Sequence, residues 1–166
     1  YNPTEPPVEG YTSVLWMLLL SLAYPLGLGP ALFSKLLGLA AALASIALAA
    51  RWVYELAEFL PREERLLPAA FAALCLAAYA PMAVHAVSGM ETALFTLLLV
   101  GFGYQAHRWA VRPNWSSTLS LGLAALLLGL TRPEGNLAAL VGIGTLAALS
   151  PQRARLLSGL VWVYLL

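Results

Sequence analysis

Thr131-Arg132-Pro133-Glu134-Gly135 stands between two apolar runs, Leu119 to Leu130 and Leu137 to Leu149. At a bilayer centre each of its charges would cost about 2.5–3.5 kcal/mol on insertion scales. The stretch therefore lies at a membrane boundary or lines a wet or protein-filled pocket. Pro133 fits a turn or helix start, where its missing N–H is not needed. Arg132 and Glu134 have two readings: they pair with each other or with headgroups at a turn, or Arg132 binds an anion. Its planar fork suits phosphate, and a helix starting near Gly135 would add the positive end of its dipole.

The composition around this stretch points to lipid. Of 166 residues, 61% are hydrophobic and 10% charged, against about 25% charged in a soluble domain. Mean hydropathy is +0.80. One soluble core cannot hide this much apolar surface, so the expected fold is all-α: a polytopic transmembrane helical bundle. The net charge of +1 says nothing about nucleic acid, but with no basic patch and no RNA-binding motif a nucleic-acid partner is not expected. The chain opens on Tyr1-Asn2-Pro3 and closes on the apolar run Leu160 to Leu166, too short for the ~20 residues of a span. The expectation is a partial transmembrane domain over 1–166, truncated at both ends. There is no aspartate in the sequence.

Residues 1–10, with Pro3, Pro6 and Pro7, read as an outer loop. Residues 11–28 form an interfacial or short membrane helix, broken by Pro25, Gly27, Gly29 and Pro30. Helices follow at about 31–56, 66–84, 88–106, 116–131, 135–149 and 156–166. Gly38, Ala42 and Ser45 would let the first long helix pack closely. The tryptophans fall near proposed boundaries and read as interface anchors. Cys75, in an apolar run without cationic neighbours, reads as a packed core residue. Two histidines and one cysteine make no zinc signature.

Loop charge sets the orientation. Arg62 and Arg65, Arg108 and Arg112, and Arg153 and Arg155 fall in three turns on one face, which is cytoplasmic by the positive-inside rule. The opposite, outer face gathers Glu9 to Thr12, Lys35, His85 to Thr92, and Thr131 to Gly135. Each candidate there has a plainer reading. Thr12 or Ser13 could cap a helix, or Glu9 and Tyr11 could contact a polar ligand. Ser88 and Glu91 fit a capping box, yet an acid at membrane depth usually faces a cavity or a partner. Lys35 snorkels to the interface or binds phosphate. His85 is a hydrogen-bonded structural group or a base.

Taken together, Val8-Glu9-Gly10-Tyr11-Thr12-Ser13-Val14-Leu15-Trp16, Ser88-Gly89-Met90-Glu91-Thr92-Ala93-Leu94 and Thr131-Arg132-Pro133-Glu134-Gly135 resemble three signatures of bacterial GT-C fold glycosyltransferases. These enzymes use polyprenyl-phosphate sugars; family-39-like proteins and the mycobacterial terminal arabinofuranosyltransferases are of this kind. The resemblance implies a multi-pass enzyme of the bacterial inner membrane with a periplasmic active face. Its donor would be a polyprenyl-phosphate sugar and its acceptor a cell-envelope glycan or lipid. The reaction needs a general base and positive charge, or a divalent cation as cofactor, for the leaving phosphate. The family's acidic pair, normally aspartates, precedes the Glu-Gly-Tyr-Thr segment, so the resemblance places the base upstream of Tyr1. Glu9 and Tyr11 would lie beside it, Glu91 would orient a sugar or a metal, and Arg132 would meet the donor phosphate beside Glu134. Two rival classes remain: a transporter or flippase module, and a membrane scaffold without a ligand.

Overall fold

A computed structural model describes residues 13–152, 154 and 156–160. Seven α-helices and a short 3-10 turn make up the described residues, with no strand among them. The helices are α1 (Val14–Ser21), α2 (Pro30–Leu56), α3 (Leu66–Ala77), α4 (Ala80–Val87), α5 (Thr92–Val111), α6 (Trp115–Thr131) and α7 (Pro133–Leu149). Residues 156–160 are also helical. The long helices α2 and α5 form the spine. α3 and α4 pack on α2, α6 packs on α5, and α7 packs on α6 and α5.

Proline chemistry decides where the helices break. A residue before proline is pushed out of the α region, and Arg132 is extended, at φ −152° and ψ 146°. α6 therefore ends at Thr131 and α7 begins at Pro133, with one extended residue between them. At that corner a Cβ on Gly135 would collide with the Leu128 carbonyl, so glycine lets α7 fold back against α6. The expected 66–84 helix is two helices, α3 and α4, bent by 61°. Tyr79 is extended where they meet, and Pro81 stands in the first turn of α4. A proline deeper in a helix would remove a hydrogen bond and clash with the preceding turn.

Close packing follows small residues. Ser34, Gly38, Ala41, Ala42 and Ser45 are buried along α2. A Cβ on Gly38 would lie 2.6 Å from the Ala86 carbonyl oxygen, so α2 and α4 touch backbone to backbone. The largest core cluster joins Phe102 and Trp109 of α5 to Leu121, Ala125 and Leu128 of α6, Ala139 of α7, and Leu156 and Leu160. Within it the Trp109 indole donates to the Thr118 hydroxyl at 2.8 Å, which satisfies both groups away from water.

The outer surface is apolar. Phe71 is 69% exposed and Leu140 70% exposed, and Leu67, Leu43 and Leu137 are exposed too. Cys75 is also exposed, which corrects its reading as a core residue: α3 is apolar on all sides, so residue type does not reveal which face packs inward. Among the described residues one stretch, Pro30–Phe59, is long and apolar enough to cross a membrane; α3 and α4 pass that test only together, as a bent pair. α6 and α7 have 17 residues each. That is about 25 Å of helix, short of the ~30 Å hydrocarbon core. α5 has 20 residues, but Gln105, His107 and Arg108 lie in its second half.

Candidate functional site

The α6–α7 corner meets the start of α5. From extended Arg132 the guanidinium donates through Nε at 2.9 Å and through Nη2 at 2.8 Å to one oxygen, Oε1 of Glu91. Nη2 also donates to the Thr92 hydroxyl at 3.1 Å. The guanidinium carbon lies 5.6 Å over the Phe95 ring, within reach of a cation–π contact. Two of the quoted motifs, 40 residues apart in sequence, thus share one charge pair. Both side chains are largely buried, Arg132 at 29% and Glu91 at 18% exposure.

Burial pushes the Glu91 carboxyl up, but the Arg132 hydrogen bonds, a backbone N–H bond and the nearby positive charge together hold it below the usual carboxylate range. Glu91 is therefore ionised at neutral pH. The pair neutralises itself, and a further anion at Arg132 would have to share the guanidinium with Glu91.

The capping-box expectation is corrected here. Ser88 ends α4, and its hydroxyl accepts from the Met90 N–H at 3.2 Å and donates to the His85 carbonyl at 3.1 Å. Gly89 follows at φ +78°, which a side chain rarely adopts. Glu91 itself is the residue before α5, and its side chain makes no capping bond. The extra turn at Gly89 shifts the helix start, and Arg132 takes the carboxylate. Of the two readings of Arg132 and Glu134, their pairing with each other is not seen: Glu134 is exposed in the first turn of α7, where it suits the helix dipole.

His85 is half-buried on α4, and its Nδ1 is buried with no hydrogen-bond partner. Lys35 is exposed on α2. It follows Ser34, whose hydroxyl would lie 2.9 Å from a Cβ on Gly89, so the start of α2 and the α4–α5 turn share this end of the bundle. Glu9 and Tyr11 lie outside the described residues. Among the described residues, no three His, Cys, Asp or Glu side chains come together in a way that could hold a metal ion.

The opposite end holds a cavity of about 460 Å³ that the sequence reading passed over, because it used the arginines there only for orientation. Arg51, Arg65, Arg108 and Arg112 line it, with Glu55, Glu58, Tyr54, Tyr104, His107 and Asn114. The Tyr104 hydroxyl donates to Glu55 Oε1 at 2.8 Å, and Arg51 Nε donates to the same oxygen at 3.1 Å. The spacing Tyr104, Arg108, Arg112 was the available signal: residues four apart stack on one helix face.

No protein-family model, no curated protein and no solved structure matches the chain.

Proposed function

We propose that the chain is part of a multi-pass membrane glycosyltransferase of the GT-C kind, transferring sugar from a polyprenyl-phosphate donor to a cell-envelope glycan or lipid acceptor. The Arg132–Glu91 pair carries this reading. It brings together the Ser-Gly-Met-Glu-Thr and Thr-Arg-Pro-Glu-Gly segments, two of the three segments on which the resemblance rests. Apolar residues across the outer surface support a lipid environment. In this reading the pair lies at the extracytoplasmic end of the inner-membrane domain. Arg132 has Nη1 left for a donor phosphate, and Glu91 fixes the plane of the fork.

A transporter module is the second reading, favoured by one observation: α3 and α4 form a broken, bent helix pair. Broken helices line substrate paths in many transporters.

Membranes containing the full-length protein distinguish the two. Transfer of labelled sugar from a polyprenyl-phosphate donor is expected, and Arg132→Lys should lower it strongly, because lysine keeps the charge and loses the fork. Solute uptake into proteoliposomes with no glycosidic product would replace the transferase by the transporter.

A further inference from the structure

From the cavity at the far end of the bundle we infer a second, separate anion site that takes the phosphate group of a ligand. Four guanidiniums line it against two carboxylates. Arg51 and Tyr104 already occupy Glu55. Arg65 is held by backbone carbonyls: Nε donates to Leu60 at 3.0 Å and Nη2 to Glu58 at 2.7 Å. Those bonds aim the guanidinium without neutralising it. Arg108 lies over the Tyr104 ring at 5.8 Å. The ion pairs among the described residues are Arg51–Glu55 and Arg132–Glu91, so Arg65, Arg108 and Arg112 touch no carboxylate directly, although the Arg108 charge still reaches Glu55.

These arginines come from three places: the end of α2, the turn before α3, and the end of α5. The first turn of α6 completes the wall through Asn114 and Ser117, adding positive partial charge. The last turns of α2 and α5 contribute negative partial charge, which the guanidiniums outweigh. Arg51, Arg108 and Arg112 are exposed, so water and salt screen part of their mutual repulsion, and a bound anion would relieve the rest. Planar forks converging from several directions match the tetrahedral oxygens of a phosphate. The volume falls within the range of small-ligand sites. The phosphate could belong to an anionic lipid headgroup or to a soluble phosphate compound. The site does not depend on the glycosyltransferase reading, since it lies at the other end of the bundle.

Native mass spectrometry of the full chain, released from nanodiscs of equal phosphatidylglycerol and phosphatidylcholine, tests the site. Parallel melting curves in detergent are recorded with and without inorganic phosphate. The wild type should retain phosphatidylglycerol over phosphatidylcholine, or should melt higher in phosphate. Retention with no response to phosphate identifies a lipid headgroup; stabilisation by phosphate that also displaces the lipid identifies a soluble ligand. R108Q/R112Q should lower the response by about 25-fold, at about fivefold per arginine, with helicity unchanged by circular dichroism. R62Q, at an exposed arginine outside the cavity, should behave as wild type. The inference fails if the wild type shows neither response, if R108Q/R112Q binds as wild type, or if R62Q loses as much as the double variant.

Discussion

The two ends of the bundle handle arginine in opposite ways. At the α6–α7 corner one guanidinium closes on one carboxylate, and the charges cancel between helices distant in sequence. At the far end, four guanidiniums share a cavity with two carboxylates, and only Arg51 among the four is in direct contact with one of them. The first arrangement works as a clamp, because separating α5 from the corner would break the hydrogen bonds of Arg132 to Glu91 and Thr92 and the attraction between the two charges. The second leaves positive charge unspent, which suits a ligand better than it suits packing. A fixed pair and an open cluster of the same residue type should therefore respond differently to mutation, acid and anions.

Glycines at the two ends give the largest contrast. Gly135→Ala sets a Cβ against the Leu128 carbonyl, and backbone at a tight corner cannot move aside. The expected cost is about 2–3 kcal/mol, read as a lowered melting temperature in detergent. Gly103→Ala at the other end meets the far edge of the Trp52 ring, at 2.6 Å. There the gain of about 1 kcal/mol in helix propensity should offset the crowding, leaving stability within about 1 kcal/mol of wild type. Equal losses at both would show that the corner is not the stiffer end.

The charge pair comes next. Glu91→Gln leaves Arg132 largely buried without its counter-charge, and should cost about 2 kcal/mol, less than for a fully buried pair. Glu91→Met with Arg132→Met should recover most of that loss, since two apolar side chains leave no charge unpaired. Additive losses in the double variant would mean that the two residues do not act as a clamp.

Acid acts on both ends: against burial, which pushes it up, Tyr104 and Arg51 also hold the Glu55 carboxyl in the arginine cavity below its ordinary value, so the Glu91 variant is what isolates the share of the corner. The folded-state pKa of Glu91 lies below its ordinary value of 4.5. Its contribution is therefore fully present above the unfolded pKa and is lost as pH falls through the folded one. Melting temperature should drop below about pH 4.5 in the wild type, and that part of the drop should vanish in Glu91→Gln. An unchanged acid profile in the variant would remove Glu91 from the clamp.

The smallest stability effect belongs to the open cluster. Arg108→Gln with Arg112→Gln relieves repulsion between two like charges on one helix face but also removes the contact of Arg108 with Tyr104 and its attraction to Glu55, so the stability without added anion should stay within about 1 kcal/mol of wild type. A clear fall would mean that these arginines hold the fold rather than a ligand.

Much of the helical layout was legible in the sequence. Apolar runs broken at Pro30 and Pro133 marked element ends, because proline acts on the backbone locally. The link before α5, by contrast, was expected around His85 and the helix from 88, and the structure puts the turn at Gly89 and the start at Thr92. Small residues on α2 announced a close crossing for the same reason: Gly38 leaves room whichever helix arrives. The α3–α4 break was harder to read, since Pro81 in an apolar run is compatible with a kink or with a full stop. The Arg132–Glu91 partnership was not legible, because a charge at a helix boundary can serve a cap, a headgroup or a partner, and local sequence weighs these alike. The arginine cavity was hidden for a related reason: its charges lie in separate turns, and each alone reads as an ordinary membrane-boundary residue.

By itself, then, the sequence determined an all-helical chain, its strong apolarity, and the places where proline and glycine interrupt its helices; these follow from backbone sterics and composition. Only the tertiary structure decided which arginine is neutralised and which is not. That depends on distances between α2, α5 and the α6–α7 corner, and electrostatic partnership in a bundle is set by those distances rather than by neighbours along the chain.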